Sequence, residues 1–212
     1  MTIPRNTIVN ADCLNVLPGL PAQCADFVLT DPPYLVRYKA RDGRTVPNDD
    51  NDLWLRPAFA ELYRVLARNS FCVSFYGWHR VDKFFDAWRA AGFRIVGHLV
   101  FPKRYTSATR HLRYQHECAY LLAKGYPTEP ESTIGDVINW SYATHNKLHP
   151  TQKPLSILSP LIKTFSAQGG LVLDPFAGSG STLMAAKTLG RDYLGIELDA
   201  DYCALANNRL AA

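Results

Sequence analysis

Two consecutive prolines constrain this chain more than any other feature. Pro32 and Pro33 follow the apolar run 25–29 and the pair Thr30-Asp31. A proline has no N–H for a sheet ladder, and the residue before it disfavours helix. The run therefore reads as a short buried parallel strand that must stop at this point. Asp31, Pro32, Pro33 and Tyr34 then present a carboxylate, stiff carbonyls and an aromatic ring at the strand's carboxyl end. Ligands bind at that edge in open α/β sheets. The same four residues also suit a rigid turn with a turn acid and a core tyrosine, and four residues do not separate the two readings.

The remaining pattern sets the fold class. Apolar, β-prone runs lie at 7–9, 71–76, 93–101, 117–123, 171–173 and 192–196. Between them, helical spacing of apolar residues covers 53–67, 80–91, 155–165, 181–189 and 199–210. Strands alternating with helices predict a doubly wound, mostly parallel α/β sheet. A length of 212 residues suits one domain over 1–212. Residues 36–52 lack periodicity and carry Arg37, Lys39, Arg41 and Arg44, which predicts a mobile basic loop. Residues 103–115 form a second basic loop, with Lys103, Arg104, Arg110, Arg113 and two tyrosines but no acid. Residues 124–147 are rich in turn formers.

Composition excludes several classes. The net charge of +4 permits a polyanionic partner without demanding one. No apolar run approaches a bilayer span and the start lacks a signal-peptide pattern, so no membrane partner is expected. The five cysteines are scattered without a C-x-x-C pair and read as reduced thiols of a cytoplasmic protein. No metal-ligand spacing occurs.

Residues 171–189 read as strand, glycine loop and helix. Gly178 and Gly180 let a backbone approach a ligand at a helix N-terminus. Tight strand–helix packing is the other use of such glycines. A P-loop is excluded because no Gly-Lys-Ser/Thr follows, and Leu183 stands where a dinucleotide fingerprint needs its third glycine. Glu197 ends the next strand about twenty residues on, where an acid grips ribose hydroxyls. An adenosine-containing ligand without a pyrophosphate fits this end best.

Three motifs in one order carry a resemblance over nearly the whole chain. Asp31-Pro32-Pro33-Tyr34, then His149-Pro150-Thr151-Gln152-Lys153-Pro154, then residues 174–182 with 195–199 behind them resemble the β group of amino-methylating DNA methyltransferases. The resemblance implies a Rossmann-like seven-stranded sheet with one antiparallel strand and helices on both faces. The motif order is circularly rearranged, so the first and last strands should be neighbours. It also implies S-adenosyl-L-methionine as cofactor. Phe176, Gly178 and Gly180 would line its methionine and adenosine parts, with Asp174 facing the amino group. Glu197 would take the ribose and Asp12 the adenine ring, while Thr151 and Lys153 would lie near the methionine carboxylate.

In the same resemblance Asp31 and the Pro32 carbonyl accept the two N–H groups of an exocyclic amine, and Tyr34 stacks on the base. The partner is DNA, with the target base flipped from the duplex. Arg37, Lys39, Arg41, Arg44, Lys103, Arg104, Arg110 and Arg113 are the candidate phosphate contacts. Asp at position 31 favours adenine-N6 over cytosine-N4 enzymes, whose motif often begins with Ser. Cytosine-C5 chemistry lacks its Pro-Cys pair. A non-catalytic nucleic-acid-binding module with a degenerate cofactor site is the rival from another class. Only residues 124–147 fill the place of a target-recognition region. Either the target is short, or recognition is shared with the loops or with a second subunit in a homodimer. Leu35 stands where the family often has Asn, and Asn10 where Gly is common.

Overall fold

The computed structural model describes residues 3–39, 43, 45–106, 111–141 and 153–211. Seven strands form one sheet: β1 (Thr7–Asn10), β2 (Phe27–Thr30), β3 (Ser70–Phe75), β4 (Arg94–Pro102), β5 (His116–Lys124), β6 (Leu171–Asp174) and β7 (Asp192–Glu197). Their spatial order is β1-β7-β6-β2-β3-β5-β4. Only β5 runs against its neighbours β3 and β4; the other pairings are parallel. The expected seven-stranded sheet with one antiparallel strand is the observed one.

The helices are α1 (Cys13–Val16), α2 (Leu55–Val65), α3 (Val81–Ala91), α4 (Leu155–Phe165), α5 (Ser181–Thr188) and α6 (Ala200–Ala211). Strand β2 explains why they lie on both faces. All four of its residues are buried. Val28 joins a core with Phe59, Leu62 and Trp88 of α2 and α3. Phe27 and Leu29 point the other way, into a core with Leu158 and Leu161 of α4 and Leu183 of α5. A strand buried at every position must be covered twice, because successive side chains leave opposite faces. Each large side chain so buried contributes about 1.5–3 kcal/mol.

Helix ends follow local chemistry. Gly92 ends α3 at φ 101°, the left-handed conformation that glycine adopts without a Cβ penalty. Asp199 accepts from the backbone N–H groups of Asp201 and Tyr202 and starts α6.

The two chain ends meet as expected. β1 pairs with β7 in register Val9 to Ile196. Arg5 bridges to Asp192 at 2.6 Å beside that pairing. Asn10 donates its side-chain amide to the carbonyls of Glu197 and Leu198.

The segments expected to be loops have internal order where they are described. Asp49 is 2% exposed and accepts from the N–H groups of Val36 and Tyr38. This carboxylate folds the 36–52 segment back on itself. In the 124–147 insert, Asp136 and Ile138 exchange backbone hydrogen bonds with Val100 on the outer strand β4. Trp140 of the insert is buried. The insert thus covers part of a sheet edge that would otherwise expose unpaired N–H and C=O groups. Residues 142–152, including His149 and Thr151, and Arg41, Arg44 and Arg110 lie outside the described residues. Among the described residues no helix is long and apolar enough to cross a membrane. The five cysteines are all free thiols.

Candidate active site

Parallel neighbours end at the same edge of a sheet. β2 lies beside β6, so Asp31, just past β2, and Asp174, the last residue of β6, emerge together. β7 adds Glu197 on the far side of β6. These tips open into one cavity of about 550 Å3 that both the Asp31 corner and the glycine turn line. The reversal of strand order between β6 and β2 makes the crevice, as in other doubly wound folds.

At the glycine turn the carboxylates are held by backbone. Glu197 accepts from Gly178 N–H at 2.6 Å through one oxygen and from Asp199 N–H at 2.8 Å through the other. Burial raises its pKa against those hydrogen bonds. Asp174 is 2% exposed and accepts from Phe176 N–H at 3.1 Å. Burial pushes its carboxyl up to about 7, against hydrogen bonds from Thr182 and Phe176, and with Asp31 and Glu197 adding repulsion. Asp12 caps α1 by accepting from Leu14 N–H and borders the same cavity.

The two glycines of the turn differ in what surrounds them. A Cβ on Gly178 would meet nothing within 4 Å, and the residue lines the cavity. A Cβ on Gly180 would sit 2.9 Å from the Ala206 Cβ of α6. Gly180 is not part of the cavity wall; its missing Cβ lets α6 pack on the start of α5.

At the other end of the cavity, side chains hold side chains. Asp31 Oδ1 accepts from the Tyr34 hydroxyl at 2.8 Å, and Asp31 Oδ2 pairs with Lys153 Nζ at 2.6 Å. Lys153 also reaches Glu117 at 3.1 Å, and Lys103 reaches Glu117 at 2.9 Å. Both lysine side chains are 5% exposed. Burial raises the Asp31 pKa despite the pull of Lys153. Burial also works to raise Glu117, but Lys153 and Lys103 outweigh it and bring the group down to about 2. Lys153 is raised: burial disfavours its charge, and the two carboxylates more than offset that.

Two expectations change here. Lys103 faces inward onto Glu117 and stacks its ammonium over Tyr105 and Trp140, so it is not a free surface cation for phosphate. Lys153 is paired with Asp31 and Glu117, between the rings of Tyr34 and Phe75. Glu117 was not among the expected site residues. Its only signal was an acid opening a strand next to a basic segment.

Backbone geometry sharpens the Asp31 corner. Leu35 has φ 61° and Arg37 φ 54°. Asn tolerates this left-handed region better than Leu, so the asparagine that the resemblance implies at position 35 would have a physical reason. Gly77, after β3, is required by close approach: a Cβ there would collide with the Tyr34 carbonyl oxygen. Beside it Trp78 is 59% exposed and stacks on Tyr114 at 5.6 Å between ring centroids. Arg104 and Arg113 are exposed on the same connecting segment as Tyr114.

A family model described as DNA methylase, covering N6 and N4 methyltransferases, matches residues 25–208. The chain belongs to this DNA methylase family. It is 52% identical to YubD of Escherichia coli (strain K12), named as a methylase, over 96% of this chain and 89% of that protein. It is 29% identical to YhdJ of the same strain, named a DNA adenine methyltransferase, over 96% of this chain and 82% of that protein. The fold matches that of M1.HpyAVI in complex with S-adenosylmethionine at TM-score 0.78 and 23% identity, over 97% and 99% of the two chains. It also matches PvuII DNA methyltransferase, titled cytosine-N4-specific, at TM-score 0.80 and 16% identity, over 98% and 87%. By family the chain is thus a DNA methyltransferase, and the matched M1.HpyAVI structure holds S-adenosylmethionine.

The cavity of this methylase fits that cofactor. Asp174 is a buried carboxyl with no cation bound to it among the described residues, which suits an ammonium group. Glu197 faces a turn with open space at Gly178 and supplies acceptors for hydroxyls. Thr30 Oγ1, buried in the cavity wall, has no hydrogen-bond partner among the described residues. Among those residues no group of His, Cys, Asp and Glu is placed to hold a metal.

Proposed function

We propose that this methylase transfers a methyl group to the exocyclic N6 amine of adenine in DNA. The observation that carries the reading is the meeting of Asp31 with Asp174 and Glu197 around one cavity. The cofactor supplies an electrophilic methyl group on a sulfonium. Asp174 holds the ammonium of its methionine part, and Glu197 accepts from its ribose hydroxyls. Phe176, Gly178 and Asp12 enclose the remainder.

The exocyclic amine is a poor nucleophile because its lone pair is delocalised into the ring. Asp31 and the Pro32 carbonyl accept its two N–H groups and draw the nitrogen toward a pyramidal shape. The new C–N bond forms as the C–S bond breaks, and the electron pair of that bond stays on sulfur. Positive charge develops on nitrogen, where the Asp31 carboxylate stabilises it most in the transition state. The extra proton leaves through Asp31 to water. Proximity across the two strand tips supplies much of the rate.

The target base must leave the stack to reach this depth. Arg37, Lys39, Arg104 and Arg113 contact phosphates, and exposed Trp78 on Tyr114 offers a ring face for a base near the rim. Adenine is favoured over cytosine by the aspartate that opens the tetrapeptide and by the relative named a DNA adenine methyltransferase. Mass spectrometry of nucleosides from DNA treated with the enzyme tests the choice. N6-methyladenine is expected; N4-methylcytosine alone would reverse it.

A further inference from the structure

Four charged side chains form a line along the cavity wall: Asp31, Lys153, Glu117 and Lys103. Their signs alternate and their contacts are 2.6, 3.1 and 2.9 Å. All four border the cavity; the carboxylates are the more open members, with 23% of the Asp31 and 22% of the Glu117 side chain exposed, while both lysines are 5% exposed. The line sums to zero charge, as a buried cluster must to be tolerated.

This arrangement leaves Asp31 masked. One oxygen holds the Tyr34 hydroxyl and the other holds the Lys153 ammonium. A carboxylate so paired is a weak acceptor for an amine, and a cation at 2.6 Å opposes positive charge on the methylated nitrogen. Lys153 must therefore loosen from Asp31 when the base arrives. A buried ammonium does not give up its only counter-ion, since breaking a buried pair costs roughly 3–5 kcal/mol. Lys153 has a second one. Glu117 lies 3.1 Å away on a different strand and is itself steadied by Lys103.

We propose that Glu117 is a positioning residue for the reaction: it receives Lys153 when substrate takes Asp31, and so frees the carboxylate at no cost in unpaired charge. The inference rests on the reading of Asp31 as the acceptor for the amine. No bond changes in this step; one ammonium moves between two carboxylates. The groups facing Lys153 are Asp31 and Tyr34 after β2 and Glu117 on β5, with Lys103 behind Glu117. Asp174 stands beyond Asp31.

The test is a double-variant cycle on the full chain with duplex DNA and S-adenosylmethionine. Glu117→Gln leaves Lys153 bound to Asp31 alone. Expected is a fall in kcat of about 10- to 100-fold, with cofactor Kd by calorimetry and KM for DNA within about twofold. The lost rate should return in large part when Lys153→Met is added to Glu117→Gln, because that removes the ammonium that holds Asp31. If Glu117→Gln alone does not fold, the cycle is read from the other side. Lys153→Met and Lys153→Met with Glu117→Gln should then differ by less than about twofold in kcat, because without the lysine Glu117 has nothing to receive. Three results overturn the inference: an unchanged kcat in Glu117→Gln, a loss that adding Lys153→Met does not relieve, or a further large loss when Glu117→Gln is added to Lys153→Met. Failure of the underlying reading looks different: the unaltered enzyme would leave adenine amines unmethylated, or Asp31→Ala would keep its activity.

Discussion

The two ends of the cavity are built differently. At the cofactor end, Glu197 and Asp174 are held by backbone N–H groups from residues within about twenty positions. At the Asp31 corner, a carboxylate is held by side chains from segments up to 122 positions away. The first arrangement is set once the strand–turn–helix unit has formed. The second exists only when four separate segments have packed. A cofactor pocket made from backbone keeps its shape, whereas a charge cluster made from side chains can rearrange when a base enters. The difference also says which substitutions should hurt binding and which should hurt chemistry.

The largest expected break comes from Asp31→Ala. Methyl transfer, followed with labelled cofactor, should fall by about a thousandfold or more, while calorimetry finds cofactor affinity nearly intact. Parallel losses in both would erase the distinction between the two ends. Glu197→Ala should do the reverse. It removes a charged acceptor that backbone N–H groups and ribose hydroxyls share, which predicts about a tenfold or greater rise in cofactor Kd.

The pH dependence sharpens the same contrast. Asp174 titrates near 7 in the free protein. A carboxyl raised this way favours folding in its protonated form, so its contribution is fullest in acid and is lost as pH rises through about 7. Cofactor binding has the opposite sign, because the ammonium needs the ionised carboxylate. Affinity should therefore strengthen as pH rises through about 7, by up to about tenfold per unit below that point, and calorimetry should detect proton release. Asp174→Asn should flatten the profile.

The glycine pair separates packing from ligand contact within the cofactor end. Gly180→Ala should lower the melting temperature, since its Cβ meets Ala206 and its φ is 77°; the cost is about 1–3 kcal/mol. Gly178→Ala meets no protein atom, so it should cost only the about 1 kcal/mol of a left-handed alanine and should act mainly on cofactor affinity. The smallest effect is expected from Trp78→Ala. DNA affinity by fluorescence anisotropy should weaken severalfold with stability unchanged, in line with about 1 kcal/mol or more for a stacked base.

Much of this was legible in the residues. The strand that ends at two prolines, the glycine turn and the acid closing β7 are local patterns, and each sits where periodicity predicts. Leu183 stands in place of a third glycine, and Gly195 takes up the close approach instead, its position crowded by Leu183 and Ala177. The two expected basic loops were only partly legible. Counting charges could not tell that Lys103 turns inward while Arg104 and Arg113 face out, nor that Asp49 ties the first loop together.

Sequence by itself determined the alternation of elements, the turn chemistry and the carboxylates at three strand tips, because backbone sterics and hydrophobic periodicity act over a few residues. Tertiary structure alone decided that Asp31, Lys103, Glu117 and Lys153 share one buried cluster. Attraction between charges depends on distance in space and on the water removed around them, and neither has any spacing that a linear chain displays.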